Sequence, residues 1–195
     1  MKTIVNVTLV GVGGQGILLT SDILARVAAA SGKSVRKSEL HGMSQRGGSV
    51  MSQIRFSDDP LAVFGPVVPA GQTDVLVAFE KLEAIRNYGM LKKDTGMAII
   101  DDRDLVPTTV SSGAQEGLQD SIAVIEKLFG DRFKLLGATA IALELGSPRF
   151  ANMVLAGALS KMMPFEIEVW HAAMRECIKP GFIDVNLKAF DIGRG

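Results

Sequence analysis

Apolar residues recur along the chain at two alternating spacings, every second residue for strands and every third or fourth residue for helices. A β-branched run at residues 3–10 predicts the first strand, and a helical pattern follows from residue 15 to residue 30, where Gly32 ends it. Further strands are predicted at residues 34–40, 50–56, 74–79, 96–100 and 132–136, and a short strand is one option within a loop-like stretch, at residues 108–110.

Helical spacing predicts the remaining elements. Two helices are expected at residues 81–91 and 121–129 between strands, and four more fill the end of the chain at residues 138–145, 150–163, 166–178 and 182–192. Because strands alternate with helices, the fold class is α/β: a Rossmann-like, mostly parallel sheet flanked by helices, with a helical C-terminal third. We expect residues 1–195 to form a single domain.

The predicted strand at residues 50–56 differs from the other strands. Val50, Ile54 and Phe56 alternate with Gln53 and Arg55, so one face of this strand is more polar. That pattern is typical of an antiparallel strand or of one near the edge of a sheet.

Composition narrows the class of protein. The chain has 195 residues, 47% of them apolar, and a formal net charge of zero, as expected for a globular protein and not for one that binds nucleic acid through bulk charge. No apolar run is long enough to span a bilayer, and a single lysine followed directly by a strand does not predict a signal peptide. We therefore expect a cytoplasmic protein with neither a nucleic-acid partner nor a membrane partner.

A glycine-rich turn joins the first strand to the first helix. It reads Gly11-Val12-Gly13-Gly14-Gln15-Gly16, and a G-x-G-x-x-G pattern in this context is typical of phosphate binding. Free amide groups at the start of the helix favour an anion. Gly11, Gly13, Gly14, Gln15 and Gly16 are thus candidate cofactor-binding residues, although the same pattern also suits a tight turn that binds nothing.

A second polar stretch, residues 39–49, follows the second strand. It contains His41 and Arg46, the candidate catalytic residues, and Gly47 and Gly48, which join Arg46 as candidate ligand-binding residues. A guanidinium can bind a carboxylate or phosphate as a fork, and histidine can transfer protons near neutral pH. The alternative for both side chains is a structural role within the loop, such as an ion pair between Arg46 and Glu39.

Several other polar residues receive structural interpretations. Glu39 lies near where an NAD-binding fold places a ribose-binding acid, but it fits the polar stretch better. Asn152 is expected to cap or brace a helix, with a site or interface role as the alternative, and His171 is expected on a helix face or in the core. Asp101 and Asp102 are interpreted as a solvated turn, with a site acid as the alternative. Cys177, the single cysteine, is interpreted as a small core residue.

Three motifs together resemble a known family. They are Gly-Val-Gly-Gly-Gln-Gly at 11–16, Ser-Glu-Leu-His-Gly-Met-Ser-Gln-Arg-Gly-Gly-Ser-Val at 38–50, and Ala-Asn-Met-Val-Leu-Ala-Gly-Ala-Leu at 151–159. The chain resembles the gamma-type component of 2-oxoacid:ferredoxin oxidoreductases over nearly its whole length, and within that family it is most similar to the branch that acts on indolepyruvate.

The resemblance implies an enzyme subunit that is incomplete alone. The full enzyme would oxidatively decarboxylate a 2-oxo acid, form an acyl-CoA and reduce ferredoxin. Thiamine diphosphate, Mg²⁺, the [4Fe-4S] clusters and coenzyme A would be held by a large partner subunit, and no cofactor is assigned to this chain. One cysteine cannot ligate a four-cysteine cluster, and no Gly-Asp-Gly followed by Asn is present to hold the magnesium of thiamine diphosphate.

Two other functions compete with this one. A free-standing NAD-dependent dehydrogenase would need a second catalytic constellation, but the only tyrosine is Tyr88 and no convincing Tyr-Lys or His-Asp pair is found. The other alternative is a non-catalytic, nucleotide-binding regulatory module.

Overall fold

Six strands and seven helices make up the computed structural model in the ranges it describes, residues 4–41, 48–62, 65–105 and 120–195. The strands are β1 (Val5–Val12), β2 (Ser34–His41), β3 (Ser49–Ser57), β4 (Val75–Ala78), β5 (Met97–Asp101) and β6 (Phe133–Leu136). The helices are α1 (Ile17–Ala30), α2 (Lys81–Arg86), α3 (Ser121–Phe129), α4 (Ala138–Glu144), α5 (Ala151–Ser160), α6 (Ile167–Cys177) and α7 (Ile183–Arg194). Short 3₁₀ helices lie at Tyr88–Met90, Pro148–Phe150 and Pro180–Phe182.

The strands form one sheet in the order β2-β3-β1-β4-β5-β6. β1, β4, β5 and β6 are parallel neighbours, whereas β3 is antiparallel to both β1 and β2. The predicted α/β class, with a mostly parallel sheet and a helical C-terminal third, is confirmed. β1 and β2 run in the same direction, as a β-α-β unit requires, but β3 lies between them.

Strand β3 is antiparallel to both neighbours, which is one of the two options that its alternating pattern predicted, and it does not lie at the edge of the sheet. Val50, Ile54 and Phe56 join the main core, and the opposite face carries Gln53 and Arg55. Gln53 is buried because its amide bonds to the backbone of Val68, donating to the carbonyl at 3.5 Å and accepting from the N–H at 3.1 Å. The irregular stretch after β3 therefore serves to cover the polar face of the sheet.

Apolar residues on the two faces of the sheet pack into separate clusters. The larger cluster joins β1, β3 and β4 to α1, α5, α6 and α7, and the smaller joins β4 and β5 to α2 and α3. Every residue of α5 is buried, so this helix lies at the centre of the helical layer and its partners surround it.

Most predicted boundaries are correct to within two residues. Gly32 ends α1 as predicted, with φ +76° and its amide bonded to the Ala29 carbonyl. The predicted helix at residues 81–91 divides into α2 and a 3₁₀ helix, because Asn87 ends α2. The strand considered at residues 108–110 lies outside the described residues.

Candidate functional site

A cleft of about 340 Å³ opens at the edge of the sheet where the parallel strands end. Its wall is formed by residues that follow β1, β4, β5 and β6, together with the segment that leads into α5. In open α/β sheets this carboxyl edge is where ligands bind. The lining residues are Val12, Gly13, Gly14, Gln15, Phe79, Asp101, Arg103, Leu105, Thr139, Pro148, Arg149 and Ala151.

Glycine is required at different positions of the predicted turn for different structural reasons. Gly14 and Gly16 have φ of +100° and +83°, which L side chains rarely adopt. A Cβ on Gly11 would lie 2.8 Å from Phe79 Cβ and 2.9 Å from Ile17 Cδ1, so packing alone requires glycine there. Of the predicted glycines, Gly13 and Gly14 line the cleft, whereas Gly11 and Gly16 support the turn from behind.

Gln15 holds this turn to the neighbouring strand. Its Oε1 accepts from the Val12 amide at 2.6 Å, and its Nε2 donates to the Phe79 carbonyl at 3.3 Å. Both ends of the side-chain amide are therefore engaged with backbone, which favours a structural role for Gln15 in the floor of the cleft over direct ligand binding.

Two arginines supply the positive charge of the cleft. Arg103 follows β5 and Arg149 lies in the 3₁₀ helix before α5, and both line the cleft. Neither guanidinium forms an ion pair or hydrogen bond with another described residue. The Arg103 charge lies close enough to the Asp101 carboxyl to act on its pKa, in the lowering direction. Two guanidinium groups that line the same cleft as a glycine turn are suited to an anionic ligand, because each can bind a phosphate or carboxylate as a fork.

Asp101 ties two strand ends of the cleft together. It is 1% exposed, and its carboxylate accepts from the Thr139 amide at 3.0 Å and from the Thr139 hydroxyl, at the start of α4. The interpretation of Asp101 as part of a solvated turn is therefore wrong, because Thr139 supplies donors from 38 residues away. Asp102 is exposed, as expected, and pairs with Lys81 at 2.9 Å.

Burial raises the pKa of the Asp101 carboxyl above its ordinary value, although hydrogen bonds from Thr139 and from the Ala138 amide, and the positive charge of Arg103, partly offset this effect. In the folded state the ionised form is thus disfavoured relative to the unfolded chain. The protonated Asp101 carboxyl therefore contributes to the stability of the folded state. This contribution is fully present below the unfolded pKa of about 3.9 and is lost as pH rises through the folded pKa.

We expect Asp101→Asn to flatten the dependence of stability on pH. Asparagine can accept from the Thr139 amide and donate to its hydroxyl, so the connection to α4 is kept without a buried charge. Thermal midpoints of the two proteins should diverge in favour of Asp101→Asn as pH rises from 4 to 7, with Asp94→Asn, at an exposed site, as the control for loss of one charge. Parallel curves for wild type and Asp101→Asn would contradict this expectation.

Residues of the three motifs meet at the glycine turn, part of which lines the cleft. Gly48, from the second motif, accepts a hydrogen bond from the Gly13 amide through its carbonyl at 3.0 Å. Asn152, from the third motif, packs against Gly16, where a Cβ would lie 2.9 Å from Asn152 Cγ. Arg46, Gly47 and the His41 side chain lie outside the described residues, so their predicted roles remain predictions.

Asn152 does not cap its own helix. Phe150 occupies the N-cap position of α5, no side chain caps that helix, and Asn152 is 3% exposed. The predicted capping role is therefore wrong. Asn152 braces a different element, because its side-chain amide packs against the turn that precedes α1. Sequence spacing alone places Asn152 in its own helix and gives no signal for this contact.

The strand order argues against an NAD site. In a dinucleotide-binding fold, the ribose-binding acid ends the strand beside the glycine turn. Here β3 separates β2 from β1, so Glu39 lies two strand spacings, about 10 Å, from β1. Glu39 also bonds to Lys37 at 2.5 Å on the same strand.

The remaining chemical candidates lie elsewhere. His171, on α6, bonds to Asp191 of α7 at 2.9 Å, a His-Asp pair that the sequence did not reveal and that does not line the cleft. Cys177 is half-buried at the end of α6. Among the described residues, no group of three His, Cys, Asp or Glu side chains could hold a metal ion. None of the described helices combines the length and the apolar character needed to cross a membrane.

Comparison with known proteins gives a consistent picture. The model of the pyruvate ferredoxin/flavodoxin oxidoreductase family matches residues 6–195. The indolepyruvate oxidoreductase subunit IorB of Pyrococcus horikoshii is 39% identical over 192 residues, which cover 96% of this chain and 93% of that protein.

Solved structures share the fold. The gamma subunit of a keto/oxoacid ferredoxin oxidoreductase from Geobacter sulfurreducens superposes with a TM-score of 0.68, at 23% identity, over 97% of this chain and 95% of its own. The 2-oxoglutarate:ferredoxin oxidoreductase of Magnetococcus marinus, solved with 2-oxoglutarate, coenzyme A and succinyl-CoA bound, gives a TM-score of 0.76 at 22% identity. That match covers 100% of this chain but 31% of the Magnetococcus chain.

Proposed function

We propose that this chain, which belongs to the pyruvate ferredoxin/flavodoxin oxidoreductase family, is the small subunit of an indolepyruvate or aryl-pyruvate:ferredoxin oxidoreductase. The observation that carries the proposal is the 39% identity to a subunit of indolepyruvate oxidoreductase over nearly the whole of both chains. Residues 1–195 would form one gamma-type domain, and the complex would decarboxylate its 2-oxo acid oxidatively, form an acyl-CoA and pass electrons to ferredoxin.

The chain's own residues fit one part of that reaction. The family resemblance assigns thiamine diphosphate, Mg²⁺ and the iron–sulfur clusters to a large partner subunit, and the single cysteine of this chain cannot by itself ligate a four-cysteine cluster. The positive cleft instead fits an anion, and coenzyme A is the polyanionic substrate of the proposed reaction.

We therefore assign the phosphates of coenzyme A to this cleft, in place of the expectation from the family resemblance that the large partner subunit holds the whole of coenzyme A. Arg103 and Arg149 would bind the phosphates, and the exposed backbone of Gly14 lets a bulky group approach the turn closely. Coenzyme A supplies the thiol that takes up the acyl group, whereas this chain binds and orients the other end of the molecule and limits the access of water.

Co-expression with the large subunit tests the proposed activity. We expect CoA-dependent reduction of a viologen dye with indolepyruvate and phenylpyruvate, and much slower reduction with pyruvate or 2-oxoglutarate. Neither subunit alone should be active, because each lacks part of the site.

The possible results separate the reaction class from the substrate. Activity confined to pyruvate or 2-oxoglutarate would keep the class of enzyme but overturn the aryl-pyruvate preference. Lack of activity with every 2-oxo acid, in a complex loaded with thiamine diphosphate and iron–sulfur clusters, would overturn the proposed function itself.

A further inference from the structure

A buried carboxylate lies next to the cleft without lining it. Glu83, on α2, is 1% exposed, and its carboxylate accepts from Ser49 Oγ at 2.6 Å, from an Arg86 guanidinium nitrogen at 2.7 Å and from Asn87 Nδ2 at 3.4 Å. Burying an ionised carboxylate is costly unless such partners compensate it. Two of these donors, Arg86 and Asn87, come from the same segment of chain as Glu83, whereas Ser49 lies on the sheet.

The Ser49 contact connects Glu83 to the glycine turn. Ser49 is the first residue of β3, and the carbonyl of the preceding Gly48 accepts from the Gly13 amide at 3.0 Å. Gly13 in turn lines the cleft. A continuous path of hydrogen bonds and one peptide unit thus runs from the Glu83 carboxylate to the wall of the cleft.

Helix α2 is fixed relative to the sheet, so the Glu83 end of this hydrogen-bonded path has a defined position. The buried Glu80 carboxylate caps the helix by accepting from the amides of Leu82, at 2.9 Å, and Glu83. Lys81, 5% exposed, pairs with Asp102 and Asp104 at 2.9 Å and 2.8 Å beyond the end of β5. These contacts fix the first turn of α2 to the edge of the sheet, and they fix the position of Glu83 with it.

We propose that Glu83 is a positioning residue: by accepting a hydrogen bond from the Ser49 hydroxyl, it holds Gly48, whose carbonyl accepts from the Gly13 amide, and so fixes the turn whose exposed Gly14 backbone an anion in the cleft would approach. A short bond from a hydroxyl to a carboxylate is stronger and more directional than a neutral one, which suits this role. The effect of Glu83 on ligand binding rests on the proposed function. Its effect on the position of the Gly13 backbone does not.

The test compares Ser49→Ala with Ser49→Thr in the complex with the large subunit. Alanine removes the donor, whereas threonine keeps a hydroxyl and suits a strand. We expect Ser49→Ala to speed hydrogen exchange in peptides covering residues 12–16 about tenfold, and to raise the KM for coenzyme A about threefold to tenfold with little change in kcat. Ser49→Thr should restore both values toward those of wild type.

Arg86→Gln is the matched control for stability. It removes another partner of Glu83 but leaves the Ser49 bond, so it should lower the thermal midpoint without altering exchange at residues 12–16. Unchanged exchange there in Ser49→Ala would overturn the positioning role. Faster exchange with an unchanged KM for coenzyme A would support the positioning of Gly13 and contradict the assignment of coenzyme A to the cleft.

Discussion

Replacing Gly157 or Gly193 with alanine is expected to destabilise the folded chain by about 3 kcal/mol. These glycines lie where α5 and α7 cross. A Cβ on Gly157 would lie 2.7 Å from the Arg194 amide nitrogen and closer still to the Phe190 carbonyl oxygen. A Cβ on Gly193 would lie 2.6 Å from the Val154 carbonyl carbon.

Helix propensity predicts the opposite sign for these variants. Within a helix, alanine is favoured over glycine by about 1 kcal/mol. The steric effect should dominate because the obstructing atoms are backbone atoms of a partner helix, which can move only if the two helices separate. Since all of α5 is buried, such a separation would disturb its packing on several sides.

Urea unfolding, followed by circular dichroism, measures the effect. Gly181→Ala is the matched control, because Gly181 precedes α7 and a Cβ there would meet no atom within 4 Å. We expect the control to change the free energy of unfolding by less than about 0.5 kcal/mol. A loss below about 1 kcal/mol in both Gly157→Ala and Gly193→Ala would contradict the close crossing.

Local patterns in the sequence predicted most elements but not their order in the sheet. The alternation in residues 50–56 predicted a strand with one more polar face, either antiparallel or near an edge, because period-2 burial follows directly from side-chain direction. That β3 lies between β1 and β2 depends on pairing between distant segments, which no local pattern records. The consequence for function is direct, since this order places Glu39 too far from the glycine turn for an NAD site.

The sequence correctly predicted the glycine turn between the first strand and the first helix. It did not predict the charged side chains that line the same cleft. Asp101 was misjudged because its donors come from Thr139, on another element. Arg103 follows the same strand end, and the rule that drew attention to Asp101 could also have identified Arg103. Arg149 precedes a helix that belongs to no phosphate-binding motif, so only the fold brings it to the cleft.

The largest functional effect is expected from the two cleft arginines. In the complex with the large subunit, Arg103→Ala and Arg149→Ala should each raise the KM for coenzyme A about tenfold, and the double variant roughly a hundredfold, with smaller changes in kcat. A charge-assisted hydrogen bond to phosphate contributes about 1.5–3 kcal/mol, and 1.4 kcal/mol corresponds to a factor of ten. Steady-state kinetics with coenzyme A as the varied substrate measures the effect.

Lysine variants distinguish charge from geometry at these positions. Arg103→Lys and Arg149→Lys keep the positive charge but lose the planar fork, so their KM should lie between those of wild type and the alanine variants. Arg175→Gln, at an exposed position on α6, controls for the loss of one surface charge. Size-exclusion chromatography distinguishes an effect on ligand binding from an effect on assembly, because replacing an arginine at a subunit interface would weaken the complex itself. An unchanged KM for coenzyme A in an intact complex would mean that these guanidinium groups do not bind its phosphates.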